Sequence, residues 1–121
     1  MPDSQMQSLS DQLLAFARAR DWEQFHSPKN LSMALAGEAG ELLAHFQWLT
    51  ETQSRSLDAK KTRAVSLEMA DIYIYLLRLA EVLGVDLDAA AREKMLINDR
   101  RYPADRVRGD ARRADEWDQE D

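Results

Sequence analysis

Apolar residues recur along this chain at intervals of three and four positions, which is the spacing of one face of an α-helix. This periodicity predicts four helices, over residues 9–20, 27–49, 57–83 and 87–101. Ser27 and Pro28 pair a capping residue with proline at a first helical position, and Gly84 suits a left-handed C-terminal cap. Asp86 can cap the fourth helix, and Pro103 ends it. The pattern therefore predicts an all-α fold of the four-helix-bundle type.

The second and third predicted helices have unusual compositions. The third follows a polar connection at residues 50–56 and is apolar over most of its circumference beyond Asp71, so it needs neighbours on several sides. The second contains Gly37 and Gly40, each of which costs about 0.5–1 kcal/mol relative to alanine inside a helix. We expect a close approach by another helix or by a ligand to compensate for these two glycines.

Composition limits the class of protein. A chain of 121 residues has room for one core, which we assign to residues 1–103, and we expect residues 104–121 to form a charged, solvated and flexible tail. The absence of cysteine excludes disulfides and thiolate metal sites and is compatible with a reducing cytoplasm. A net charge of −6 argues against polymeric nucleic acid as a partner.

The sequence also bears on location. The residues before the first predicted helix are polar, and Arg78 and Glu81 interrupt the longest apolar run, residues 72–83. We therefore expect a cytoplasmic protein with no membrane partner.

Two pairs of acids lie inside the most apolar helices, each pair with a spacing of three residues: Glu38 with Glu41, and Glu68 with Asp71. At this spacing the two carboxylates of a pair share a helix face, with Cβ atoms about 5–6 Å apart. Uncompensated carboxylates in a core cost on the order of several kcal/mol each, so bound cations are the expected compensation. A single helical acid more often faces solvent, but four acids in this arrangement favour a site for a hard divalent metal such as Mg²⁺.

A ferritin-like di-iron site is the main metal-binding alternative. That architecture requires two Glu-x-x-His pairs, and the chain contains only one, Glu23 with His26, because the other histidine, His45, lies three residues after Leu42. His45 follows Glu41 by one helical turn and could hydrogen-bond a site carboxylate, but an ordinary half-buried histidine fits equally well, so we leave it out of the ligand set.

Further polar and aromatic residues suggest ligand contacts without establishing them. On the fourth predicted helix, a polar face that could clamp phosphates, or simply face solvent, consists of Lys94, Asn98 and Arg101 and ends beside Tyr102. Aromatic residues that could stack on a nucleobase, or simply close a core, are Trp22, Phe25, His26 and Trp48. Tyr75 follows Asp71 by one turn, on the carboxylate face.

With these residues the chain resembles the all-α, MazG-like nucleotide pyrophosphohydrolases, whose pattern is Glu-x-x-Glu on one helix and Glu-x-x-Asp on the next. More narrowly, several motifs in the same order are similar to the dCTP pyrophosphatase branch of that family. They are Arg-Asp-Trp-Glu-Gln-Phe-His at 20–26, Pro-Lys-Asn-Leu at 28–31, Gly-Glu-Ala-Gly-Glu at 37–41, Phe-Gln-Trp at 46–48, and Lys94-Met95, Asn98 and Arg101-Tyr102-Pro103. The likeness covers about residues 9–103.

The resemblance implies a catalytic domain that requires Mg²⁺, which Mn²⁺ can replace, and that cleaves a deoxynucleoside triphosphate to the monophosphate and pyrophosphate in nucleotide-pool housecleaning. It implies dCTP or 5-modified dCTP as substrate. Cleavage of dUTP or another noncanonical nucleotide stays open, as does a helical module that binds nucleotide without hydrolysis.

The resemblance also assigns roles to residues. It implies metal-binding and catalytic roles for Glu38, Glu41, Glu68 and Asp71, with Glu41 one candidate for the general base. It implies a base pocket shaped by Trp22, His26, Trp48 and Tyr75, and phosphate or sugar contacts from Lys94, Asn98, Arg101 and Tyr102. Finally, it implies a homotetramer, a dimer of dimers with sites between subunits, and the apolar third helix is consistent with such an assembly.

Overall fold

The computed structural model describes residues 8–117, and within them the regular elements are helices, with no strand. The helices are α1 (Leu9–Ala19), α2 (Pro28–Ala44), α3 (Glu51–Ser54), α4 (Ala59–Leu83), α5 (Leu87–Arg101), α6 (Ala104–Val107) and α7 (Ala114–Trp117), with a 3₁₀ segment at Glu23–Phe25. The all-α prediction is confirmed. The chain divides into two compact units, a first unit Met1–Val85 and a second unit Asp86–Asp121.

Side-chain caps define where the helices begin. In each case a side-chain oxygen accepts a hydrogen bond from a backbone N–H three residues later, an interaction typically worth about 1 kcal/mol. The capping residues are Ser8, Ser27, Thr50, Asp58 and Asp86. At the end of α4, Gly84 adopts the left-handed conformation with a φ of 69°. The predicted signals at Ser27, Gly84 and Asp86 are therefore confirmed.

The predicted end of the second helix at residue 49 is wrong, because α2 ends at Ala44. The amide of His45 donates to the carbonyl of Leu42, and the amide of Phe46 donates to that of Leu43. These bonds span three residues rather than four, so the chain tightens and leaves the α-helical path. As a result Trp48 lies outside the helix.

The connection after α2 also differs from the prediction. It contains the short helix α3, which is held by a reciprocal capping box: Gln53 N–H donates to Thr50 Oγ1 at 3.1 Å, and Thr50 N–H donates to Gln53 Oε1 at 2.9 Å. Helix α4 begins at Ala59, two residues later than predicted, because Asp58 Oδ1 accepts from the amide of Lys61 at 2.7 Å.

Within the first unit, α1 and α2 pack against α4. The buried apolar residues are few: Ala17, Leu31, Val65 and Ala80. Other large apolar residues of α4 remain more than half exposed, namely Leu67, Met69, Tyr73 and Leu83. The neighbours that this helix needs on its remaining sides are therefore absent from the described part of the first unit.

The second unit consists of α5 followed by the short helices α6 and α7. Residues 104–117, the described part of the expected tail, contain two single helical turns, and most of these residues are exposed. Arg112 pairs with Asp110, with Nη2 and Oδ2 2.7 Å apart. None of the helices in residues 8–117 combines the length and the hydropathy needed to cross a membrane.

Candidate functional site

Three acids meet where α2 packs on α4. Glu38 from α2 and Glu68 and Asp71 from α4 each present a carboxylate oxygen, and these oxygens lie within 4.8 Å of one another. We call these three residues the acid cluster. Glu41, the fourth predicted acid, is exposed one turn further along α2 and is outside this group. The structure thus brings together three of the four predicted acids.

The acid cluster is electrostatically unfavourable as it stands. Burial raises the pKa of Glu38, and the neighbouring carboxylates of Glu68, Asp71 and Glu41 raise it further. Glu68 Oε2 is buried and has no hydrogen-bond partner among the described residues. The cluster therefore offers several carboxylate oxygens close together, one of them buried and without a hydrogen-bond partner. Oxygen ligands of this kind fit a hard divalent cation.

A cavity of about 390 Å³ adjoins the cluster, within the size range of small-molecule sites. Its apolar lining consists of Leu13, Phe16, Ala17, Leu31 and Ile74, and its polar groups come from Trp22, His26, Asp71, Tyr75 and Arg78. Asp71 belongs both to the acid cluster and to the cavity lining. A ligand in this cavity would therefore extend directly towards the carboxylates.

One wall of the cavity is aromatic. The rings of Phe16 and Trp22 meet edge to face, with centroids 5.8 Å apart, and the guanidinium of Arg20 lies 3.5 Å from the centre of the Phe16 ring. Asp21, at a φ of 56°, lets the chain turn back after α1, so the amide of Trp22 donates to the carbonyl of Ala17 at 2.9 Å. This turn places Trp22 at the cavity.

A buried arginine forms another part of the lining, and sequence reasoning missed it. Arg78 was considered only as an interruption of an apolar run, yet it is 6% exposed. Its Nε donates to His26 Nδ1 at 3.1 Å, and its Nη1 lies 3.4 Å from Glu81 Oε2. The sequence signal was an arginine in an apolar stripe with a glutamate three residues later.

Of the remaining predicted contact residues, one belongs to the first unit and four belong to the second. Trp48 is 85% exposed and does not line the cavity. Lys94, Asn98 and Arg101 are exposed on α5 of the second unit, and Tyr102 follows as its C-cap residue, with the Arg101 guanidinium 5.6 Å from the centre of its ring.

The close approach expected at the glycines of α2 does not come from another helix in the described part of this chain. An approach by a ligand or by a second subunit stays a prediction. A Cβ at Gly37 or at Gly40 would meet no atom within 4 Å beyond the local helix among the residues described. Both positions are exposed, so the packing of α2 on α4 does not depend on small residues there.

The protein is all-helical, and two packed helices bring carboxylates together in an acid cluster. Comparison with known families identifies the class of protein that has this arrangement. Residues 34–116 match the model of the MazG-like family, and the chain belongs to this family. The matched region includes the acid cluster and reaches beyond residue 103, into the segment assigned to the tail.

Individual relatives narrow the comparison. The chain is 46% identical over 100 residues to dCTP pyrophosphatase 1 of Homo sapiens, covering 81% of this chain and 59% of that protein. It is 46% identical over 98 residues to the Mus musculus protein of the same name, covering 79% and 58%. The chain thus spans less than two thirds of the length of these curated relatives. A solved pyrophosphatase structure from Archaeoglobus fulgidus aligns with a TM-score of 0.75 and 36% identity, covering 78% of this chain and 89% of that one.

Proposed function

We propose that this chain is a divalent-metal-dependent nucleoside triphosphate pyrophosphohydrolase that acts on dCTP or 5-modified dCTP. The observation that carries the proposal is the position of Asp71, which belongs both to the acid cluster and to an aromatic-lined cavity. A nucleoside triphosphate fits both features: its flat base suits the aromatic cavity, and its triphosphate binds the cations that the acid cluster would hold. The identity to dCTP pyrophosphatases supports the choice of base.

The acid cluster is the proposed metal site. Glu38, Glu68 and Asp71 would hold Mg²⁺, or Mn²⁺ in its place, and Glu41 completes the proposed set from the next turn of α2. The cation, when bound, neutralises phosphate charge and polarises the phosphoryl oxygens. The buried Glu68 Oε2 supports this assignment, because it lacks any other partner in the described structure.

The remaining residues bind and orient the nucleotide. Trp22, His26 and Tyr75 contact the base in the cavity, with Trp48 as a further base contact. Lys94, Asn98, Arg101 and Tyr102 contact the phosphates or the sugar. Water attacks the α-phosphorus in line with the leaving pyrophosphate, and the bond from the α-phosphorus to the bridging oxygen breaks. We assign Glu41 as the carboxylate that accepts the proton of the attacking water, since it is exposed and its charge acts on Glu38 of the acid cluster.

Assembly into a homotetramer, a dimer of dimers, is part of the proposal. The exposed apolar residues of α4 and the exposed Trp48 support it, because a partner subunit would remove them from water. Light scattering after size-exclusion chromatography should then report four times the 13.9 kDa chain mass. A monomer mass at the concentrations used for activity would contradict the proposed assembly.

The test of function is pyrophosphate release with Mg²⁺ from a panel of dCTP, 5-methyl-dCTP, dUTP and the other common deoxynucleoside triphosphates. We expect dCTP and its 5-modified forms to be cleaved fastest, and Asp71→Asn and Glu38→Gln to abolish release without loss of helical content. Glu51→Gln, at an exposed acid of α3 outside the acid cluster, is the matched control. Nucleotide binding without release from any substrate would instead indicate a non-catalytic module.

A further inference from the structure

Arg78 is a buried cation whose donors are directed to Glu81 on α4 itself and to Glu23 and His26 in the segment between α1 and α2. Burying a guanidinium is costly unless its donors are paired, so the partners of Arg78 explain its position. Its Nη1 forms an ion pair with Glu81, and its Nη2 lies 3.9 Å from Glu23 Oε1 in the 3₁₀ segment. Ser10 Oγ of α1 in turn donates to Glu81 Oε2 at 2.9 Å. Arg78 is therefore held from several sides.

The third partner of Arg78 is His26, and the direction of this hydrogen bond determines the tautomer of the histidine. A guanidinium can only donate, so His26 Nδ1, 3.1 Å from Arg78 Nε, is the acceptor. A neutral imidazole with an acceptor at Nδ1 carries its proton on Nε2. Burial lowers the pKa of His26 and the charge of Arg78 lowers it further, while Glu23 opposes them, so the net shift favours the neutral ring that the hydrogen bond requires.

His26 also lines the cavity, and its Nε2–H has no partner among the described residues. We propose that Arg78 is a positioning residue that fixes His26 as the neutral Nε2–H tautomer, and that this N–H donates to an acceptor atom on the edge of the pyrimidine base. This inference rests on the proposed function. Cytosine offers such acceptors at O2 and N3, whereas the other tautomer would turn Nε2 into an acceptor and leave those atoms without this donor.

Two substitutions of His26 separate base recognition from a purely structural role. The side-chain amide of glutamine places an N–H near the position of Nε2, whereas that of asparagine places its oxygen near the position of Nδ1. His26→Gln therefore retains the donor towards the cavity, and His26→Asn retains the acceptor for Arg78. If His26 only supports Arg78, the asparagine variant should have both the lower KM and the higher unfolding temperature of the two.

The experiment compares steady-state cleavage of dCTP and thermal unfolding for these two variants. We expect His26→Asn to raise KM about tenfold, the size of one lost hydrogen bond to a buried polar group, with kcat little changed. His26→Gln should keep KM within about threefold of the unmodified protein. An asparagine variant with unchanged KM beside a glutamine variant with raised KM would overturn the inference.

The role of Arg78 is tested by ¹⁵N NMR of the histidine side chains in Arg78→Lys, which keeps the charge but loses the Nε–H fork. The chain has two histidines, so His26→Asn assigns the His26 signals. We expect a single Nε2–H tautomer in the unmodified protein and a mixture in Arg78→Lys, with KM raised about tenfold as well.

The charged and titratable groups near the ring are Arg78 and Glu23, with Asp71 and Tyr75 in the same cavity lining and Glu81 beside Arg78.

The readouts separate this inference from the proposed function. If the unmodified protein cleaves dCTP but Arg78→Lys keeps both the single tautomer and the KM, only the positioning role is overturned. If the unmodified protein neither binds nor cleaves any pyrimidine triphosphate, the proposed function and this inference fail together, whatever the tautomer.

Discussion

Glu38→Gln should have opposite effects on stability without and with metal. Glu38 shares the acid cluster with two further carboxylates, and its raised pKa reflects burial and the repulsion among these charges. Removing its charge relieves that repulsion when no cation is present. The same substitution removes a ligand oxygen when the cation is present. The variant is therefore expected to be more stable than the unmodified protein in EDTA and to lose the stabilisation by Mg²⁺.

The magnitude follows from the geometry of the acid cluster. Two unit charges 4.8 Å apart repel each other by about 1 kcal/mol in a water-like dielectric and by about 3 kcal/mol at an effective dielectric constant of about 20. Glutamine at position 38 removes the two pairs that involve Glu38 and leaves the pair of Glu68 with Asp71. Because Asp71 is exposed and the side chains can move apart, we expect the lower limit to apply. Removing two such pairs should raise the free energy of unfolding in EDTA by about 2 kcal/mol.

Urea denaturation at one fixed protein concentration, in EDTA and in Mg²⁺, measures this effect. Mg²⁺ at ten times its Kd should stabilise the unmodified protein by about 1.4 kcal/mol and leave Glu38→Gln unchanged. Glu51→Gln, outside the acid cluster, should behave like the unmodified protein under both conditions. A Glu38→Gln variant that is destabilised in EDTA, or that keeps the full response to Mg²⁺, would refute the electrostatic reasoning.

The pH dependence has a definite sign. Because the folded-state pKa of Glu38 is raised, the folded protein binds a proton more tightly than the unfolded chain. The contribution of Glu38 to stability is fully present below its pKa in the unfolded chain and is lost as the pH rises through its pKa in the folded protein. Denaturation in EDTA should therefore show the unmodified protein losing stability relative to Glu38→Gln over that interval. Parallel profiles for the two proteins would contradict this expectation.

Three further substitutions test the packing by urea denaturation. Gly37→Ala should raise the free energy of unfolding by about 0.5–1 kcal/mol, because a Cβ there meets no atom within 4 Å; a loss instead would indicate an approaching subunit. Gly84→Ala should lower it by about 1 kcal/mol, since the φ of 69° disfavours a side chain; an unchanged value would contradict the left-handed cap. Leu31→Ala should cost about 2–5 kcal/mol, because Leu31 is 2% exposed, and a cost below that of an exposed leucine such as Leu43 would contradict its place in the core.

The helices could be predicted because their signals are local. The caps at Ser27 and Asp86 act within one turn, and Gly84 needs only its own backbone conformation. The end of α2 was misplaced because the residues after Ala44 carry no proline or glycine, and the three-residue hydrogen bonds that replace the helix leave no mark in the sequence. The short helix α3 was missed, although Thr50 and Gln53 form a capping box that the sequence contains.

The candidate site was predictable to the extent that it depends on helix faces. The spacing of three residues placed Glu68 and Asp71 on one side of α4, but the membership of the acid cluster depends on how α2 packs on that side, which left Glu41 outside. The burial of Arg78 depends on Glu23 and His26, which belong to the segment after α1 and are more than fifty residues away in sequence. Contacts of this kind join residues that are far apart in the sequence, so no short sequence pattern indicates them.

The most direct test of the proposed function is hydrolysis of dCTP in ¹⁸O-labelled water with Mg²⁺, followed by mass spectrometry of the products. Attack on the α-phosphorus predicts dCMP that carries one labelled oxygen and pyrophosphate that carries none, with no turnover by Asp71→Asn. Label in pyrophosphate, formation of dCDP and phosphate, or full activity of Asp71→Asn would contradict the account.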